Sequence, residues 1–187
     1  MRKLLLSLLV LALAYVSDAT AKTVGDVTLP DSYNAGGANL LLNGAGMRKK
    51  GGFIKVYAGG LYLKAKSANA AQIIAADEPM VIKMVFVRTV DSQTIQNAWS
   101  EGYKNNAGAS YNALLPKIKE FNAFFSAKVM EKNTYDVIYV PGKGISVKIN
   151  GVEKGTIAGL DFKKATFAIW LGSKPADDGL KEGMLGK

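Results

Sequence analysis

The chain has 187 residues, of which 49% are hydrophobic and 21% charged, and its formal net charge at pH 7 is +9. It contains neither cysteine nor histidine, which excludes disulfides, thiolate catalysis, histidine-based catalytic triads and cysteine or histidine metal sites. Any acid or base must therefore be Asp, Glu, Lys, Tyr or a water molecule that one of them holds. The positive charge favours anionic partners, but the lysines are scattered along the chain, as on a solvated surface. We predict no metal, no cofactor and no nucleic-acid partner.

Residues 1–21 have the three parts of a signal peptide. The chain opens with M-R-K, continues with an apolar run over residues 4–16 and reaches the small residues A-T-A at 19–21. The apolar run is shorter than the roughly 20 residues that a membrane-spanning helix needs. We therefore predict export to the periplasm, a mature chain that starts near Lys22, and no stable membrane span after cleavage. An uncleaved N-terminal anchor is the alternative.

A hairpin over residues 40–64 is the main predicted element of the first half. Before it, residues 22–30 predict a short strand that ends at Pro30, and residues 31–39 predict a turn-rich connector. The two arms of the hairpin are joined by Gly51-Gly52. The second arm has apolar residues on both faces, which predicts burial on both: Phe53, Ile54, Val56, Tyr57, Leu61, Tyr62 and Leu63. Gly59-Gly60 within it predicts a bulge or the close approach of a ligand or helix.

The middle of the chain has helix signals on both sides of one strand. Ser67 is a candidate N-cap for an alanine-rich helix over residues 67–76, and residues 80–88 predict a central strand. Asp91 is expected to cap a helix that ends near Gly108. Its apolar face is formed by Ile95, Ala98, Trp99 and Gly102. Another helix runs to Phe125, and Pro116 predicts that it restarts near Leu115, because proline fits only the first turn of a helix.

The last third predicts three strands and two helices. The strands are residues 134–140, 144–149 and 152–158, of which the last two are joined by an Asn-Gly hairpin turn. Asp161 is expected to cap a helix closed by Gly172, and residues 177–185 form a short terminal helix. Hairpins on both sides of a helical middle predict one α+β domain over residues 22–187, with helices packed on one face of an antiparallel sheet.

Two sequence segments resemble the chalcone isomerase family. G-A-G-M-R at 44–48, followed by F-I-K-V-Y-A-G-G-L-Y-L-K at 53–64, is similar to the family's G-A-G-x-R and F-x-K-F-T-A-x-G-x-Y-L. F-A-I-W-L-G-S-K-P at 167–175, followed by D-D-G-L-K-E-G-M-L-G, is similar to the end of the family's secreted bacterial branch. The resemblance implies an open-faced β-sandwich, in which helices cover a large curved sheet and leave a cleft between them.

The resemblance also implies the residues of a ligand site. It places a substrate-binding arginine at Arg48, which could hold a carboxylate or phenolate with its planar fork of donors. Tyr57 stands where the plant enzymes have a threonine, and Ile169 stands where they have a serine or threonine. A tyrosine and an asparagine of the middle helices are expected as well, and the candidates are Tyr103 with Asn105 or Asn106, or else Tyr111 with Asn112. Trp170 either lines the cleft or belongs to the core.

One arginine is thus kept, while two of the polar contacts of the plant enzymes are replaced. We predict a periplasmic protein that binds an apolar small molecule, expected to be anionic and fatty-acid-like, with Arg48 as its anchor and no assigned catalytic residue. The alternative is an intramolecular lyase or isomerase acting on a chalcone-like or other enone substrate, with Arg48 stabilising an oxyanion and Tyr57 polarising a carbonyl. A third possibility is an envelope interaction protein whose cleft is filled by its own side chains. The sequence identifies neither the ligand nor the oligomeric state.

Overall fold

The computed structural model describes residues 21–187, so the predicted signal peptide, apart from Ala21, lies outside the described residues. Within that range the chain forms nine β-strands and five α-helices. The strands are β1 (Lys22–Val24), β2 (Val27–Leu29), β3 (Ser32–Ala35), β4 (Ala38–Lys50), β5 (Ile54–Leu63), β6 (Met80–Phe86), β7 (Thr134–Val140), β8 (Gly144–Ile149) and β9 (Val152–Ile157). The helices are α1 (Ala70–Ala75), α2 (Ser92–Asn106), α3 (Tyr111–Ala123), α4 (Leu160–Leu171) and α5 (Asp178–Met184).

Strands β3 to β9 form one seven-stranded sheet in which the spatial order equals the chain order and each pair of neighbours is antiparallel. Strand β6 is the middle strand, as predicted, and α2 and α3 are inserted between it and β7. The β1–β2 hairpin pairs separately. The predicted α+β class, with helices laid on a curled antiparallel sheet, is confirmed.

Both faces of the sheet are covered by apolar side chains. The larger core lies between the sheet and the helices and is rich in aromatic residues, including Trp99, Phe121, Phe162 and Trp170. A smaller core on the other face contains Leu29, Leu40, Tyr62, Val81 and Ile138. Because side chains alternate along a strand, the strands that contribute to both cores must be apolar on both faces, which explains the pattern of β5. No helix within the described residues is long and apolar enough to cross a membrane.

The predicted hairpin is β4 and β5. Its turn contains Gly51 and Gly52, which both have the positive φ that glycine adopts easily, +61° and +82°. The predicted burial on both faces holds from Val56 onward, but Phe53 was wrongly included, because its side chain lies in the turn and is 78% exposed. At Gly59 the close approach is that of a helix, because a Cβ there would lie 2.8 Å from the methyl group of Met184 in α5.

Four other boundaries differ from the prediction. Residues 22–30 form two strands instead of one, and the predicted connector contains β3 and the start of β4. Helix α1 is capped by Asn69, whose Oδ1 accepts the backbone N–H of Gln72 at 3.1 Å, and not by Ser67. Helix α3 is continuous from Tyr111, so Pro116 lies inside it and no restart occurs near Leu115.

The start of α4 also differs. The helix follows Gly159, which has a φ of +116°, so Asp161 lies in the first turn and does not cap it. A carboxylate in the first turn still interacts favourably with the helix dipole, and Asp161 also forms an ion pair with Lys117 of α3 at 3.1 Å. The predicted terminal helix is α5, and Asp177 caps it, since its Oδ1 accepts the backbone N–H of Leu180 at 2.7 Å.

Candidate ligand-binding cleft

A cleft of about 420 Å³ opens at the end of the sheet where β4 turns into β5. Its volume falls within the range of roughly 300–1,000 Å³ that is usual for small-molecule sites. One wall is formed by the β4–β5 hairpin, and the other by the segment after β6 and the first turns of α2. Its lining combines charged side chains (Arg48, Lys50, Arg88, Asp91 and Glu101) with apolar ones (Ile54, Val56, Val90, Ile95 and Ala98).

The register of the sheet explains how these residues meet. Arg48 of β4 is paired with Tyr57 of β5, which is paired in turn with Phe86 of β6. Side chains directly opposite one another on antiparallel strands point to the same face, so these three residues form a row beneath the helices. Arg88 is two residues beyond Phe86 and continues the same alternation past the end of the strand.

Asp91 positions the helical wall of the cleft. Its two carboxylate oxygens accept the Thr94 backbone N–H at 2.8 Å and the Thr94 hydroxyl at 2.7 Å, which fixes the start of α2. These hydrogen bonds from Thr94 lower the pKa of Asp91. Ile95 and Ala98 then follow at the three-residue spacing that places them on one face of the helix, toward the cleft.

Arg48 is half-buried, and its guanidinium carbon lies 5.7 Å from the centre of the Tyr57 ring. This distance is within the range of a cation–π interaction. Neither of the two ion pairs among residues 21–187 involves Arg48. The guanidinium therefore reaches the cleft with donors that are not taken by a carboxylate of this part of the chain.

Tyr57 forms the floor beneath Arg48. Its side chain is 4% exposed, and its hydroxyl oxygen accepts a hydrogen bond from Nε1 of Trp170 at 2.9 Å. Burial raises the pKa of Tyr57, and the nearby Arg48 lowers it to a smaller extent, so the phenol is neutral at ordinary pH. Because the hydroxyl accepts from Trp170, its own proton can be donated elsewhere.

A small apolar pocket lies under the cleft and is almost filled. Its volume is about 20 Å³, room for about one water molecule. Tyr57, Phe86, Trp99 and Ile169 line it together with Arg48. Ile169 therefore lies next to Arg48 and Tyr57 in this small pocket, while Trp170 is 1% exposed and contacts Tyr57 through its hydrogen bond.

The middle-helix candidates lie away from the cleft, so the expectation that they face it is wrong. Tyr103 is fully buried, and its hydroxyl is hydrogen-bonded to the Thr166 hydroxyl at 2.9 Å. The amide of Asn106 donates to the carbonyls of Gly102 at 3.0 Å and Lys174 at 2.8 Å, and so joins the end of α2 to the segment after α4. The other three candidates, Asn105, Tyr111 and Asn112, are likewise absent from its lining.

Sequence reasoning missed several residues that do line the cleft. Arg88 was assigned only to the end of a strand, and Glu101 was not considered. Ile95 and Ala98 were assigned to the apolar face of their helix, and that face is the one that turns toward the cleft. An apolar helix face next to an arginine at the end of the preceding strand was the sequence signal that could have located this wall of the cleft.

Residues 21–186 match the family model described as chalcone isomerase-like. Among solved structures, the chain is similar to the crystal structure of a fatty-acid binding protein from Arabidopsis thaliana, with a TM-score of 0.71 and 22% sequence identity, over 86% of this chain and 92% of that chain. At this identity the likeness shows a shared fold. No curated protein matches the sequence.

Proposed function

This chain belongs to the chalcone isomerase-like family, and on that premise we propose that its cleft binds a small molecule with an acidic head and an apolar body, such as a fatty acid. The observation that carries the proposal is the position of Arg48. Its guanidinium lies between the charged mouth of the cleft and an apolar pocket, and neither ion pair of residues 21–187 occupies it. The name of the Arabidopsis neighbour, a fatty-acid binding protein, supports the same class of ligand.

The acidic head would be held by Arg48 with help from Tyr57. A guanidinium binds a carboxylate through two parallel N–H donors, which fixes the orientation of the ligand. Tyr57 accepts from Trp170 and can donate its own proton to the same head. Lys50 and Arg88 add positive charge at the mouth, while Asp91 and Glu101 reduce the attraction for anions in general.

The apolar body would lie along the cleft and not deep under the sheet. The deeper pocket holds only about 20 Å³, because Tyr57, Trp99 and Ile169 fill the space. The side chains of Ile54, Val56 and Ile95 offer an apolar surface in the open cleft. Each methylene group buried there would contribute about 0.8 kcal/mol.

Titration of fatty acids against purified protein tests this function. Arg48→Ala should weaken binding about tenfold to a hundredfold, since a hydrogen bond to a charged group contributes about 1.5–3 kcal/mol. The affinity of Arg48→Lys should lie between those of wild type and Arg48→Ala, because lysine keeps the positive charge but lacks the planar set of N–H donors. Lys64→Ala, an exposed lysine beyond the far end of β5, is the matched control. Equal affinity of Arg48→Ala and wild type would reject the anchoring role.

A second candidate function is an isomerase or intramolecular lyase acting on an enone. The observation in its favour is that Tyr57 keeps a donatable proton beside the Arg48 cation, a pair that could polarise a carbonyl and stabilise an oxyanion. Ring closure of a chalcone changes its absorbance, so a rate above background that Tyr57→Phe abolishes would support the enzyme. No rate above background would remove this particular activity.

Export to the periplasm is part of the proposal and is supported by the composition of residues 1–21. Mass spectrometry of protein from fractionated cells tests it. A periplasmic chain that begins near Lys22 is expected, and a cytoplasmic chain that keeps Met1 would contradict it.

A further inference from the structure

Large apolar side chains are exposed mainly at one end of the sheet. Four such side chains are exposed among the described residues, and three of them share this end: Phe53 (78%), Met130 (52%) and Val152 (59%). The fourth, Leu41, is paired with Leu63 at the opposite end of the β4–β5 hairpin. Phe53 is the most exposed of the four, and an aromatic ring in water at the tip of a hairpin contributes little to the stability of the fold.

The strand register shows that these three side chains lie along one edge. Lys50 pairs with Ile54 at the turn that carries Phe53, and Tyr57, three residues after Ile54, pairs with Phe86 at the end of β6. The Lys132 N–H donates to the Phe86 carbonyl at 2.8 Å, which places the segment after Met130 beside that end. Tyr135 pairs with Ile149, and Ile149 pairs with Val152. With strands about 4.8 Å apart, the three side chains span about 20 Å.

The same end carries a concentration of positive charge. The segments 49–55, 88–91 and 128–132 contain six basic residues, all exposed: Lys49, Lys50, Lys55, Arg88, Lys128 and Lys132. They contain two acidic residues, Asp91 and Glu131. The carboxylate of Asp91 is bound to Thr94. Other carboxylates near this end are Glu101 in the cleft lining and the exposed Glu153 next to Val152. Asp177 lies beside β4 and accepts the backbone N–H groups of Lys49 and Leu180.

We propose that this end of the sheet docks on an anionic phospholipid membrane. Exposed aromatic side chains are favoured at the level of the lipid head groups, and clusters of lysine and arginine are attracted to the negative surface of such a membrane. Phe53 inserts between head groups, Met130 and Val152 lie at the surface, and the basic side chains bind the lipid phosphates.

The cleft opens at the same end, because Lys50, Ile54 and Arg88 line its mouth. A docked molecule would therefore face the membrane with its cleft and could exchange an apolar ligand with the bilayer without passing it through water. This step rests on the proposed function, whereas the docking itself rests only on the exposed side chains and charges.

Vesicle flotation tests the docking. Wild-type protein should bind vesicles of phosphatidylglycerol and phosphatidylcholine, bind pure phosphatidylcholine much more weakly, and lose affinity as salt is added. Phe53→Ser should bind the anionic vesicles about tenfold more weakly. Lys49→Glu combined with Lys55→Glu should lower the affinity at least about twentyfold, since each lysine near such a surface contributes about fivefold. Wild type and all variants are prepared with the same N-terminus, which mass spectrometry identifies. Any contribution of this N-terminus to vesicle binding therefore cancels when their affinities are compared.

Matched variants at the opposite end serve as controls. Leu41→Ser removes the fourth exposed apolar side chain, and Lys64→Glu combined with Lys66→Glu reverses two exposed charges beyond the far end of β5. These variants should bind within about twofold of wild type. The proposal is overturned if wild type does not bind the anionic vesicles, if the Phe53 and Lys49/Lys55 variants bind like wild type, or if the controls lose as much.

Fluorescence adds a second readout. The two tryptophans of the wild type, Trp99 and Trp170, are buried, so wild-type emission serves as the reference. Relative to it, the additional emission of Phe53→Trp should shift to shorter wavelength on anionic vesicles and be quenched by brominated lipids, while that of Leu41→Trp should not. Absence of additional quenching in Phe53→Trp would contradict insertion. Fatty-acid titration in solution separates docking from ligand binding. Phe53→Ser is expected to bind fatty acid like wild type, so that loss of vesicle binding and loss of ligand binding are distinguishable.

Discussion

The indole nitrogen of Trp170 donates a hydrogen bond to the hydroxyl of Tyr57 across 2.9 Å, between two buried residues that are 113 positions apart in the sequence. The bond joins α4 to β5 directly beneath the cleft. Arg48 lies over the ring of the same tyrosine, with 5.7 Å between the guanidinium carbon and the ring centre. The last long helix therefore fixes the residue on which the candidate anchor rests.

Tyr57→Phe is expected to destabilise the protein by about 1–3 kcal/mol, because it leaves the buried Nε1–H of Trp170 without an acceptor. Urea unfolding measures the change. Trp170→Phe alone also costs stability through lost packing, so the pair is best compared in a double-mutant cycle. The coupling energy should be about 1 kcal/mol or more in favour of the pair, and a cycle that is additive within error would contradict the importance of this bond.

Tyr103→Phe is expected to affect stability and not ligand binding. The change removes a buried hydroxyl, but Thr166 keeps a second partner, the carbonyl of Phe162 at 2.8 Å, so the cost should be about 1 kcal/mol. Fatty-acid affinity should equal that of wild type, in contrast to Arg48→Ala. A tenfold loss of affinity in Tyr103→Phe, with a folded protein by circular dichroism, would show that the middle helix reaches the ligand after all.

The fold was predictable because its signals are local. The Gly-Gly and Asn-Gly turns, the alternation in β8 and the Asp91 cap each indicate an element by themselves. The position of a helical side chain relative to a distant strand has no such signal. Tyr103 and Trp99 are four residues apart on one helix, and only the packing of α4 decides that the first is bonded to Thr166 while the second lines the small pocket.

Phe53 shows a second limit of reading the sequence. A phenylalanine beside a β-strand is usually buried, and the strand pattern alone gave it a place in the core. Its position in the turn exposes it instead, because residues 51–53 project beyond the sheet. The exposure of such a hydrophobic side chain is therefore apparent only once the strand ends are known.

Gly44 is expected to be essential for the packing of α5. A Cβ at this position would clash with the backbone carbonyl oxygen of Gly183, and a backbone atom cannot move aside without displacing the helix. Gly44→Ala should cost about 3 kcal/mol or more. Gly59→Ala is the matched control, since its new methyl group would meet the flexible end of Met184 and should cost less. Thermal unfolding measures the loss of stability in both variants. An equal loss in Gly44→Ala and Gly59→Ala would contradict this account.

Lys163 is fully buried and closes the C-terminal end of α1. Its Nζ donates to the carbonyl oxygens of Ile73 at 2.8 Å, Ile74 at 2.9 Å and Ala76 at 2.6 Å. Burial lowers the pKa of Lys163 to about 8; the nearby Lys164 acts in the same direction, while Asp77 and Glu78 act against it. The ammonium ion thus satisfies three helix-end carbonyls at the cost of leaving water.

Lys163→Met should therefore lower stability in a pH-dependent way. At pH 7 the loss of donors to three carbonyls should cost about 1–3 kcal/mol. The pKa of Lys163 is about 8 in the folded protein and 10.5 in the unfolded chain, so between these pH values the unfolded state binds more protons. The free energy of unfolding of the wild type therefore rises with pH in this range. The variant has no lysine at this position and lacks this increase. The difference between them should widen by up to about 2 kcal/mol from pH 7 to 9.5. Urea unfolding at both pH values measures it, with exposed Lys119→Met as control, and a constant difference would show that Lys163 keeps an ordinary pKa.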